Sequence, residues 1–85
     1  MKVIKIYSDT CGPCKVLEKN LTLAGVPHES VNILSEEAED IIEKYEIRSV
    51  PTLLVFDNNG KLHSKYVGVV GVDYLKSLFN EISRS

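Results

Sequence analysis

The stretch Val3-Ile4-Lys5-Ile6-Tyr7-Ser8-Asp9-Thr10-Cys11-Gly12-Pro13-Cys14 decides how the rest of the chain is read. Its first half is β-branched and aromatic, which predicts a strand, and Ser8-Asp9-Thr10 then predicts a polar turn. Beyond the cysteines, Leu17, Leu21 and Ala24 recur at i, i+4 and i+7, which predicts a helix over about 12–23, stopped by Gly25 and Pro27. Two thiols two residues apart, at a strand-to-helix junction, can close or reopen a disulfide at little geometric cost. They enclose a loop too small to staple a fold. In a reducing compartment such a pair is more often catalytic or metal-binding than structural.

Downstream, Glu29-Ser30-Val31-Asn32-Ile33 alternates polar with apolar and predicts a second strand. Ser35 suits a helix N-cap and Glu36 and Glu37 the positive end of its dipole. Ala38, Ile41, Ile42 and Tyr45 would then form the apolar face of a helix over about 35–45. Pro51 opens Thr52-Leu53-Leu54-Val55-Phe56, a continuous apolar run expected of a strand covered on both faces. Asp57-Asn58-Asn59-Gly60 predicts a hairpin turn and 61–67 the antiparallel return. Val72, Leu75, Leu78, Phe79 and Ile82 mark a closing helix. The order is βαβ, a helix, then ββα. A right-handed first crossover makes strands one and two parallel, and the hairpin completes a four-stranded mixed sheet flanked by three helices.

At 85 residues with 44% hydrophobic content, a single domain over 1–85 with one core is expected. Net charge is −2 and the basic residues are scattered, which argues against a nucleic-acid or anionic-membrane surface. The opening apolar run is too short for a signal-peptide core or a membrane span, so a cytoplasmic protein is expected. His28 and His63 lack ligand spacing to the cysteines, so no metal site is expected.

Cys11-Gly12-Pro13-Cys14 after the first strand, with Val50-Pro51-Thr52 before the third, resembles the thioredoxin/glutaredoxin superfamily across essentially the whole chain. The first half, through Ala24-Gly25 and Val31-Asn32-Ile33, looks like the glutaredoxin-like redoxins that serve ribonucleotide reductase. The CGPC motif, the run from Tyr45 to Phe56 and Tyr66-Val67-Gly68 look like thioredoxin. The resemblance implies a minimal thioredoxin fold of glutaredoxin size and an activity as a dithiol/disulfide oxidoreductase acting mainly as a reductant. It implies no bound cofactor beyond a redox-active Cys11–Cys14 disulfide, disulfide-containing client proteins, a flavin-dependent thioredoxin reductase and a monomeric state.

Within that resemblance Cys11, just ahead of the helix, is the expected nucleophile, since unpaired amides and the helix dipole favour its thiolate. Cys14 is the expected resolving thiol, and Gly12 and Pro13 shape the loop between them. Pro51 is implied to be cis and to pack against the disulfide; the plainer alternative is that it merely begins a strand. Thr10 stands where thioredoxins carry Trp. Thr10, Ser49, Val50 and Val69 match the client-contact positions, so the client surface is expected to be less aromatic. Lys5 stands where thioredoxins bury an Asp beneath the resolving cysteine. It either lies near the thiols and stabilises thiolate, or snorkels to solvent with no role.

Asp9 stands where glutaredoxins place a Lys, and Gly68 and Gly71 are not adjacent, which weakens a glutathione site. Asp73 is read as the cap of the last helix. A glutathione-dependent glutaredoxin is the rival reading and a non-enzymatic binding module the third.

Overall fold

A computed structural model describes residues 1–84. Seven elements follow in order: β1 (Lys2–Tyr7), α1 (Gly12–Leu23), β2 (Glu29–Asn32), α2 (Glu36–Lys44), β3 (Thr52–Phe56), β4 (Leu62–Val67) and α3 (Val72–Ser83). The strands form one sheet in the order β2-β1-β3-β4. β1 pairs parallel with β2 and antiparallel with β3, and β4 returns antiparallel to β3. This is the expected four-stranded mixed sheet with three helices.

Alternation along the two central strands divides the core. Val3 and Leu53 and Val55 face α1 and α3, packing with Leu17, Leu21, Leu75, Leu78 and Ile82. Ile4, Ile6, Leu54 and Phe56 face the other way, against Val31, Ala38 and Ile47, with Ile41, Ile42 and Tyr45 at the margin. All five residues of β3 are buried, as the unbroken apolar run required.

Local chemistry sets the element ends. Gly25 takes φ +70° after α1, a left-handed backbone that only glycine adopts without cost. The Ser35 hydroxyl accepts from the Ala38 amide at 3.3 Å and caps α2. The 57–60 turn closes through Asp57 N to Lys61 O at 2.8 Å, and Asp57 Oδ1 accepts from the Asn59 and Lys61 amides. The last helix corrects one expectation. Its N-cap is Gly71, no side chain caps it, and Asp73 lies inside the first turn, where its charge faces the dipole rather than a free amide.

Candidate active site

The antiparallel registers bring three separate loops to one edge of the sheet. Ile6 is opposite Thr52, and Thr52 is opposite Val67. The end of β1, the start of β3 and the end of β4 therefore lie side by side. The first leads into Thr10-Cys11-Gly12-Pro13-Cys14, the second follows Ser49-Val50-Pro51, and the third runs on to Gly68 and Val69. Gly68 donates its amide to the Pro51 carbonyl at 2.9 Å, which fastens the third loop to the second. Thr52 Oγ1 donates to the Ser49 carbonyl at 2.8 Å and folds the second loop back on its own strand. The Val50–Pro51 peptide is cis, as the resemblance implied, and Pro51 is buried. Thr10, Gly12, Pro13 and Ser49 are exposed, Val50 is half-buried, and Val69 is 47% exposed.

Cys11 and Cys14 are joined in a disulfide, with their Cα atoms 5.2 Å apart. Cys11 is the N-cap of α1 in extended conformation, and Pro13 occupies the first turn, where its missing N–H leaves nothing unpaired. The Cys14 amide donates to Cys11 Sγ at 3.1 Å. The Cys11 sulfur thus stands where a capping oxygen would, receiving the partial positive charge of a helix N-terminus. In the reduced protein the same amide would face a thiolate, the species that attacks disulfides. Cys11 is 8% exposed and Cys14 only 2%, so Cys11 is the more accessible of two shielded cysteines.

Lys5 does not snorkel to solvent. It projects from the α1-facing side of β1, and the residue is only 5% exposed. Its Nζ donates to Glu18 Oε2 at 2.6 Å, and His28 Nε2 lies 2.8 Å from the same oxygen. A charge taken out of water needs such partners, and Glu18 is why Lys5 stays inside. The Glu18 carboxyl is held below the ordinary glutamate range, first by the hydrogen bond from Lys5 and then by His28, with burial opposing them. Lys5, Tyr7, Ser8, Asp9, Cys14, Lys15 and Glu18 line one open cavity of about 280 Å³, so the inner cysteine and the charged pair share a solvent pocket.

The sequence pattern missed Glu18 and His28. Glu18 reads as part of the polar side of α1 and His28 as a loop residue. The available signal was only a lysine on the inward-facing register of β1 together with a glutamate on the helix one turn beyond Cys14. Among the described residues, no group of three or more His, Cys, Asp or Glu is placed to hold a metal ion. Arg48 is exposed, and His63 bonds the neighbouring Ser64 hydroxyl at 3.1 Å.

Comparison with known proteins agrees with this geometry. A thioredoxin from Mycoplasmoides gallisepticum is 33% identical over 79 residues, covering 89% of this chain and 78% of its own length. Among solved structures, a mutant thioredoxin from Halobacterium salinarum NRC-1 superposes with a TM-score of 0.77 at 31% identity, over 94% of this chain and 72% of that one. Thioredoxin 1 from Thermosipho africanus TCF52B covers 100% of both chains with a TM-score of 0.72; at 21% identity it speaks to the fold alone. The thioredoxin family model matches residues 1–81. With that match, those relatives and the Cys11–Cys14 disulfide at the head of α1, the chain belongs to the thioredoxin family and is a thiol-disulfide oxidoreductase.

Proposed function

We propose that the protein works mainly as a reductant of disulfides in client proteins, with Cys11 as nucleophile and Cys14 as resolving thiol. The observation that carries this reading is the 3.1 Å hydrogen bond from the Cys14 amide to Cys11 Sγ, which places the outer sulfur at the N-terminus of α1. Cys11 attacks the client disulfide and forms a mixed disulfide. Cys14 then attacks Cys11 Sγ, the pair closes, and the client leaves reduced. Thr10, Ser49, Val50, Pro51 and Val69 form the surface that receives the client, a ring of small and aliphatic side chains in keeping with an extended segment laid across the edge of the sheet. Ribonucleotide reductase is one client of suitable chemistry. A flavin-dependent thioredoxin reductase recharges the pair, and a reducing cytoplasm is the setting in which a dithiol donor operates. No described helix is long and apolar enough to cross a membrane.

The test is insulin-disulfide reduction supported either by NADPH with a thioredoxin reductase or by glutathione with glutathione reductase. Turnover with the first system alone supports the proposal. Turnover with glutathione alone favours a glutaredoxin, and no turnover with either favours a binding module.

A further inference from the structure

Val67, Val69 and Tyr74 are apolar or aromatic side chains left exposed, and they gather where β4 runs through Gly68 into the first turn of α3. With the half-buried Tyr66 and Val70, and with Gly71, they line an open cavity of about 460 Å³. Among the described residues, no charged side chain lines it. Exposed apolar residues scattered singly need no explanation, whereas a contiguous group around a concavity marks a place where something binds.

The walls of this cavity are fixed. Tyr66 packs against the core formed with α1 and α3. Tyr74 meets it edge to face, with ring centroids 5.6 Å apart and planes at 80°, and the two hydroxyls are hydrogen-bonded at 3.0 Å. Tyrosines so placed offer rigid contact area at little cost in side-chain entropy. The loop between them is tied at two points. Gly68 donates to the Pro51 carbonyl at 2.9 Å, and Asn20 Nδ2 donates to the Val70 carbonyl at 3.0 Å. The first tie joins the wall of the cavity to the loop at the disulfide end of the sheet, so the cavity is continuous with the surface that a client meets around Cys11.

We propose that Tyr66 and Tyr74 form a specificity subsite that takes an apolar side chain of the client, aromatic or branched aliphatic, a few residues from the cysteine that Cys11 attacks. The proposal rests on the reading of the protein as a reductant of client disulfides. Thr10 leaves no ring beside Cys11 in the sequence, and the two rings stand beyond Val69 instead, so the aromatic contact is offered at the N-terminal end of α3 rather than that of α1. An extended segment crossing from Cys11 over Val69 lays one side chain between the rings and Val67. A charged side chain would lose its water there without gaining a partner, which restricts the occupant to an apolar one. A second copy of the chain suits the patch less well. The exposed parts of these side chains come to a few hundred Å² at most, short of the roughly 800 Å² per partner that stable association buries.

The experiment measures single-turnover rates of the reduced protein with synthetic peptides, each a symmetric dimer linked through its one cysteine. Each turnover converts the Cys11/Cys14 dithiol to its disulfide and the peptide disulfide to two thiols, with no other reactant. The series walks a single Phe through the positions flanking the cysteine, against a reference that carries Ser there. At one register the Phe peptide is expected to react about 5- to 10-fold faster than the reference, the gain from partly burying one aromatic side chain. Tyr74→Ser and Val67→Ser are each expected to abolish that preference, and Tyr74→Phe to keep it. A wild type that prefers Phe at no register, or a preference that survives in both Tyr74→Ser and Val67→Ser, overturns the subsite. So does a wild-type dimer that Tyr74→Ser dissociates in analytical ultracentrifugation, since a second copy then occupies the patch. Failure of the wild type to reduce any peptide overturns the reductant reading and the subsite with it. Reduction of every peptide at the same rate overturns the subsite alone.

Discussion

The Gly68 amide and the Pro51 carbonyl meet at 2.9 Å, and this bond joins the two loops on which a client would rest. Gly68 holds φ +97°, a backbone that side chains rarely adopt, although the space around it is open. Gly68→Ala is therefore expected to cost about 1–2 kcal/mol through the backbone rather than through a clash. Val69 would shift with it, so KM for insulin should rise more than kcat falls. Urea unfolding and steady-state kinetics check both; a variant with wild-type stability and KM would show the bond to be dispensable.

Cys14→Ser is expected to accumulate mixed disulfides between Cys11 and clients, because no thiol remains to resolve them. Intact mass spectrometry after incubation with reduced-and-reoxidised cell extract checks this, with dithiothreitol releasing the adducts. Cys11→Ser is expected to trap far less. The reverse pattern would exchange the two roles.

Glu18 contributes to stability through its depressed carboxyl. That contribution is present above the ordinary glutamate value near 4.5 and fades as pH falls through the lower value of the folded protein. Its side chain is 44% exposed, so solvent screening limits the effect to about 1 kcal/mol or less. Wild type is expected to exceed Glu18→Gln by that amount in urea unfolding at neutral pH. The gap should close in acid; a gap that widened there would contradict the pairing.

Leu17 is fully buried between α1 and the sheet, one turn after Cys14. Leu17→Ala is expected to cost about 2–5 kcal/mol, visible as a fall in Tm of roughly 4–8 °C per kcal/mol for a domain of this size. Calorimetry checks it. Because Leu17 packs in the apolar core on the α1 and α3 side of the sheet, the titration of Cys11 is expected to persist below the new Tm.

The strands and helices were legible because their signals are local. Period-two alternation, the Ser35 cap and the unbroken run from Thr52 to Phe56 each name an element without knowledge of its neighbours. Cys11, Cys14 and Pro51 were legible because their types are chemically narrow. Lys5 was not, since its fate depends on Glu18, 13 residues away, and on His28 beyond a left-handed turn at Gly25. Strand patterning says which face a lysine points to, but not whether a counter-charge awaits it there. Asp73 failed for a related reason: neighbouring residues compete for one capping position, and backbone placement at Gly71 settled the choice.

The antiparallel pairing of β1 with β3 has a practical corollary. Lys2 is opposite Phe56, so the 57–60 turn and the amino-terminal end of β1 lie at the far edge from the disulfide, where the Met1 amine donates to Asn58 Oδ1 at 2.6 Å. A tether inserted between Asn59 and Gly60 would hold the molecule by its foot. On a gold electrode or a sensor chip, every copy would then present its cysteines outward.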